Sequence, residues 1–129
     1  MDFEAALLCD AATDQGGKLN VLGAFDTIHT RGFPTTHPQC AIVYRIRFSR
    51  LEAGKHRVKV RLVTEDGEPV IPPLEAELNI SLGPGGDSAV SNLVLNLQQL
   101  TIAKPGRYSV DLSIDGRQEK SIPLTVVKM

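Results

Sequence analysis

The stretch Cys40-Ala41-Ile42-Val43-Tyr44-Arg45-Ile46-Arg47-Phe48 puts an apolar side chain at every even position and arginines at 45 and 47 on the other parity. A side-chain period of two marks a strand with one buried and one wet face. The same alternation recurs on both sides of it. Val58, Val60 and Leu62 alternate with Arg57, Lys59 and Arg61, and Leu74-Ala76-Leu78-Ile80-Leu82 alternates with Glu75, Glu77, Asn79 and Ser81. Further strands are expected near Val90–Leu97, with Leu93, Leu95 and Leu97 inward, at Val110-Leu112-Ile114, and through Ile122, Leu124 and Val126. Towards the start, Phe3-Ala5-Leu7-Cys9 reads as a strand, and Leu19-Val21-Gly23-Phe25 reads as its return.

Turn chemistry separates these runs. Gly16-Gly17 and Asp115-Gly116 supply the positive φ of tight hairpins, and Asp66-Gly67 marks a third turn. Gly83-Pro84-Gly85-Gly86-Asp87 is a longer loop. Thr27–Gln39, broken by Gly32, Pro34 and Pro38, reads as the longest irregular connection, because each proline removes a ladder donor. Pro123 within the last strand predicts an edge position or a bulge. Gln98–Lys104 leaves room for a short helical turn. No window sustains a helical period. About eight short strands spaced by turns predict an all-β, antiparallel two-sheet sandwich of immunoglobulin-like architecture. A chain of 129 residues is one domain, 1–129. The expected core holds Leu7, Val21, Ile42, Tyr44, Ile46, Val58, Val60, Leu62, Leu78, Ile80, Leu95, Tyr108, Val110, Leu112 and Leu124.

Composition removes several functional classes. Fourteen basic residues against fifteen acidic ones give a net charge of −1, with no surplus to attract a nucleic acid. No apolar run reaches the roughly 20 residues of a membrane span. The acidic opening Met1-Asp2-Phe3-Glu4 lacks the basic start of a secretory leader, so a cytoplasmic protein is expected. Its two cysteines, Cys9 and Cys40, are then expected to be reduced.

Two resemblances bear on identity. Pro105-Gly106-Arg107-Tyr108-Ser109-Val110 resembles the corner that precedes a strand in many immunoglobulin-like sandwiches. That resemblance implies a tyrosine hydroxyl tied to a loop backbone. A wider set resembles a family of small bacterial proteins classed as a domain of unknown function. It comprises Ala6-Leu7-Leu8-Cys9-Asp10, Lys18-Leu19 through Gly23-Ala24-Phe25-Asp26, Phe33-Pro34 with His37-Pro38, the arginine-alternating strand, and the ending from Pro105-Gly106-Arg107-Tyr108 to Ile114-Asp115-Gly116. This resemblance implies a β-sandwich standing alone and implies no activity.

Chemistry-bearing patterns are few. The basic ladder Arg45, Arg47, Arg57, Lys59 and Arg61 would gather five cations on one face if the two strands pair, forming a surface for an anion or an acidic partner. Glu75 and Glu77 have the parity to neutralise part of it across strands. His29, His37 and Cys40 with Asp26 are of zinc-ligand type, but they lack paired C-x-x-C or H-x3–5-H spacing, so no metal site is expected. Asp66, Asp87 and Asp115 belong to turns and form no calcium pattern. No G-x-S-x-G, P-loop or dinucleotide motif occurs, so no catalytic residue and no cofactor are expected. Aromatic side chains do not interleave with the basic face, which argues against single-stranded nucleic acid. The expected function is therefore a non-enzymatic interaction or structural module, binding a protein partner or itself through a sheet face or edge strand. The alternative is a small-ligand or hydrolytic protein that uses the 27–39 loop, with His29 and His37 as polar groups.

Overall fold

The even-numbered side chains of the arginine-alternating stretch all enter the core: Cys40, Ile42, Tyr44, Ile46 and Phe48 are buried. They lie on one of nine strands in a computed structural model that describes residues 1–129. The strands are β1 (Asp2–Gln15), β2 (Lys18–Phe25), β3 (Thr27–Thr30), β4 (Thr35–Ser49), β5 (Gly54–Thr64), β6 (Leu74–Ile80), β7 (Ser88–Ile102), β8 (Gly106–Ile114) and β9 (Arg117–Lys128). A single 3-10 turn, Arg50–Glu52, joins β4 to β5. No helix is long and apolar enough to cross a membrane.

Two sheets form, one in the order β2-β1-β4-β7 and one in the order β3-β9-β8-β5-β6. Every pairing is antiparallel except β3 with β9. The five-stranded sheet curls into a half-barrel. Its inward residues, Val58, Val60 and Leu62 with Val110, Leu112, Leu124 and their neighbours, meet the even parity of β4 in one shared core. Fully burying each such side chain contributes roughly 1.5–3 kcal/mol, which is the main force holding the sheets together.

The hairpins at Gly16-Gly17 and Asp115-Gly116 form as their turn residues demand, with positive φ at Gly16, Gly17, Asp115 and Gly116. Pro123 lies where β9 is a sheet edge, because the short β3 begins to pair only at Thr125. Tyr108 is buried, and its hydroxyl donates to the Lys104 carbonyl at 2.6 Å.

Three expectations are corrected. The first is the face of β1. A register shift between Phe3 and Ala5 opposite β4 inverts the parity, so Ala6 and Leu8 meet the main core. Leu7 and Cys9 face outward. One inserted residue is enough to exchange the faces of a strand.

The second concerns β2. The β1–β2 hairpin folds back over the outer face of its own sheet. The Gly17 carbonyl there accepts hydrogen bonds from Arg45 Nη1 and Asn92 Nδ2, both at 3.2 Å. Ala12 and Leu19 cover a small outer cluster of Cys9, Ala41 and Val43. Gly23 permits the bend, with φ +68° and the Asp10 carboxylate where a Cβ would sit. Val21, expected in the core, is 39% exposed, and its neighbour Leu22 is 70% exposed. Leu95, also expected in the core, is only half-buried on the edge strand β7, although Leu93 and Leu97 on the same face are buried.

The third is the stretch 27–39. Most of it is strand, with β3 and the start of β4 separated only by residues 31–34. Pro38 is tolerated in β4 because β1 has already left. The β1–β4 pairing stops at Ala41, so β4 is locally an edge. The ambiguous Gln98–Lys104 is likewise strand as far as Ile102.

Candidate functional site

The basic ladder is divided between the two sheets. Strands β4 and β5 do not pair: β4 lies between β1 and β7, and β5 between β8 and β6. The five cations therefore do not share a face, and the two groups differ in what they touch.

Arg45 and Arg47 bond within the chain. Glu4 bridges them, with Oε1 at 2.9 Å from Arg45 Nε and Oε2 at 2.7 Å from Arg47 Nε. Arg45 Nη1 also donates to Asn92 Oδ1, and Arg47 Nη1 to Ser88 Oγ. These guanidiniums clamp β1, β4, β7 and the tip of the folded hairpin. Hydrogen bonds from Arg47 first, then Arg45, hold the Glu4 carboxyl below its usual range.

Arg57, Lys59 and Arg61 stand in a different setting. They project from the outward face of β5 at steps of about 6.8 Å, twice the rise of a strand residue. That face holds a trough of about 870 Å3, flanked by β6 with Glu75 and Glu77 and by β8 with Asp111. Lys59 reaches Glu75 at 3.9 Å, and Lys55 reaches Glu77 at 3.9 Å, so the expected cross-strand neutralisation forms in part. Such exposed pairs contribute about 0–1 kcal/mol. Arg57 and Arg61 donate no side-chain hydrogen bond and make no ion pair. Arg61 sits directly opposite Asp111 in the β5–β8 register. Asp111 Oδ1 instead accepts from Ser109 Oγ at 2.5 Å and Ser121 Oγ at 2.6 Å. The trough thus offers two planar donor forks that no other group of the chain engages, about 13–14 Å apart along one strand.

Asp111 and Ser113 are the part of the trough that sequence reading missed. Their signal was present: Ser109, Asp111 and Ser113 all occupy the wet parity of β8.

A second, smaller hollow of about 540 Å3 includes His56 and Asp115. His56 Nδ1 lies 2.7 Å from Asp115 Oδ2, its Nε2 meets the Glu52 carbonyl, and its ring stacks on Phe48. The Glu52 carbonyl and then Asp115 push the imidazole up from its ordinary value. The Arg57 backbone N–H and then His56 hold the Asp115 carboxyl down. Both ring nitrogens are occupied, so neither is free to take a proton from a nucleophile.

The 27–39 segment lines neither hollow. His37 packs against Phe25, with ring centroids 5.7 Å apart, and Cys40 points into the main core. No group of three or more His, Cys, Asp or Glu side chains is arranged so that it could hold a metal ion. Cys9 and Cys40 are free, buried, and on opposite faces of their sheet. Burial pushes both thiols up, Cys40 to about 11.

Residues 4–127 match the model of a family of unknown function, DUF6941, and the chain belongs to that family. No curated protein matches the chain.

Proposed function

We propose that this family member is a non-enzymatic interaction module whose trough on the five-stranded sheet takes an acidic segment of a partner protein. The observation that carries this reading is the pair of unpartnered guanidiniums, Arg57 and Arg61, on one strand of a concave face. An extended chain laid along β5 repeats every two residues with the same spacing as the cations. Its carboxylates would meet Arg57 and Arg61 in bidentate fashion, the geometry in which arginine binds most strongly. Lys59 lies between them, already shared with Glu75. Glu75 and Glu77 along the outer wall would repel a misplaced acidic chain and so fix where it lies. The occupied nitrogens of His56 favour binding over catalysis.

The immunoglobulin-like reading of the fold has support of the same kind. Strands β9-β8-β5 follow the G-F-C order and β1-β4-β7 the A-B-E order of such sandwiches. The Tyr108 tie to Lys104 matches the tyrosine corner at the start of strand F. The chain departs from that pattern in the folded β1–β2 hairpin and in having no strand beyond β7. A cytoplasmic setting fits two thiols left free.

A pull-down at moderate salt tests the binding surface. Partners held by the wild-type protein should be lost by Arg57→Glu/Arg61→Glu and kept by Lys104→Glu, a charge change outside the trough. Equal capture by the wild type and the double variant would remove the trough as the binding surface.

A further inference from the structure

The outer edge of β7 is the longest unpaired backbone in the molecule. This strand runs fifteen residues, Ser88–Ile102, and pairs only with β4. In sandwiches of this strand order a fourth strand covers that edge; here none does. Exposed edges are normally blunted by charge, proline or brevity, because their free N–H and C=O groups recruit other strands. The other edges follow that rule in part. β3 has four residues, β6 has seven with Glu75 and Glu77, and β2 has eight with Lys18. From Ser88 to Ile102 there is no charged residue and no proline. Leu95, opposite the fully buried Ile42, is left half-exposed on the core side of that edge.

We propose that β7 pairs antiparallel with β7 of a second copy, joining two four-stranded sheets across a two-fold axis at Val94. Three features select a second copy as the occupant. Self-pairing brings no like charges together, because the strand has none. The register centred on Val94 matches like with like, placing Leu93 against the partner's Leu95 on the core face and Asn92 against the partner's Asn96 on the other. The uninterrupted part of that ladder, Val90 to Gln98, ends just before Gln99, whose φ of +53° bends the strand. An isologous contact of this kind closes at two chains, whereas β2 against β7 would be head-to-tail and would grow into filaments. The trough lies on the other sheet and takes no part, so either proposal can fail without the other.

Sedimentation over a concentration series from low micromolar to near-millimolar tests this. The wild type should pass from 14.0 kDa to twice that mass and stop there. Leu95→Lys, an inward-pointing edge charge, should stay at 14.0 kDa throughout, while Arg57→Glu/Arg61→Glu should still dimerise. A wild type that remains at 14.0 kDa, a mass that climbs past two copies, or a Leu95→Lys variant that still dimerises would each overturn the proposal. Cysteine cross-linking reads the register without relying on the lysine variant. Val94→Cys meets itself on the axis and should form an inter-chain disulfide under mild oxidation. Asn96→Cys faces Asn92 and should not. Equal cross-linking at both positions would contradict the pairing, and the native thiols are buried and silent.

Discussion

Replacing Tyr44 by Phe should make the protein more stable. Tyr44 is wholly buried on the inward face of β4, and its hydroxyl has no hydrogen-bond partner. Burial drives its ionisation far above the ordinary phenol range. A buried polar atom left unpaired costs roughly 1–3 kcal/mol, and phenylalanine removes that cost while keeping the ring. The ring is worth keeping because it meets Phe3 edge to face, with centroids 6.2 Å apart. The void left by one oxygen, at about 24 cal/mol per Å3, offsets only a few tenths of a kcal/mol. The expected net gain is about 1–2 kcal/mol, or about 3–8 °C in Tm for a domain of this size. Thermal melts and urea titrations of the two proteins, with m-values compared to confirm that the unfolding reaction is unchanged, give the number. A loss of 1 kcal/mol or more would refute the reasoning, since it would mean that the hydroxyl is bonded, for example to an enclosed water.

Tyr108→Phe should have the opposite sign, losing about 1–2 kcal/mol in the same urea assay, because it leaves the Lys104 carbonyl without its donor. Gly23→Ala should cost about 1–3 kcal/mol from positive-φ strain, and an Asp10→Ala background should recover only the part due to the carboxylate contact. The His56–Asp115 pair should make stability depend on pH. The raised His56 pKa contributes stability that is complete below the ordinary imidazole value of 6.5 and fades as pH rises through the folded value. The lowered Asp115 pKa contributes stability above 3.8 that is lost as pH falls below it. Urea midpoints should therefore drop between mildly acidic and mildly alkaline pH in the wild type, and His56→Gln should flatten that slope.

The strands were legible wherever one face is wet. On β4, β5, β6 and β8 the charged or hydroxyl parity marks the outside, and the inward residues follow. Reading fails where a strand has no wet side or changes register. On sequence Leu7 points inward, because nothing local announces the bulge near Phe3. Val21 reads as inward because an apolar parity on β2 cannot reveal a hairpin that folds back on its own sheet. Pro38 argued against a strand because sequence does not say where β1 stops pairing. For the site, the charges of β5 were visible, but strand order decided what they meant. Arg45 and Arg47 look identical to Arg57 and Arg61 until Glu4 and the Gly17 carbonyl are placed beside them. The sequence places a strand only near Val90–Leu97; that it runs charge-free from Ser88 to Ile102 with nothing covering its edge comes from the topology.

The most direct test of the trough is an amide-resolved NMR titration with a glutamate-rich octapeptide at low and at moderate salt. The account predicts shifts confined to β5, β6 and β8 around Arg57, Lys59, Arg61 and Asp111, weakened by salt and abolished by Arg57→Ala/Arg61→Ala. Shifts centred on Arg45 and Arg47, or no shifts in the five-stranded sheet at either salt, would contradict it.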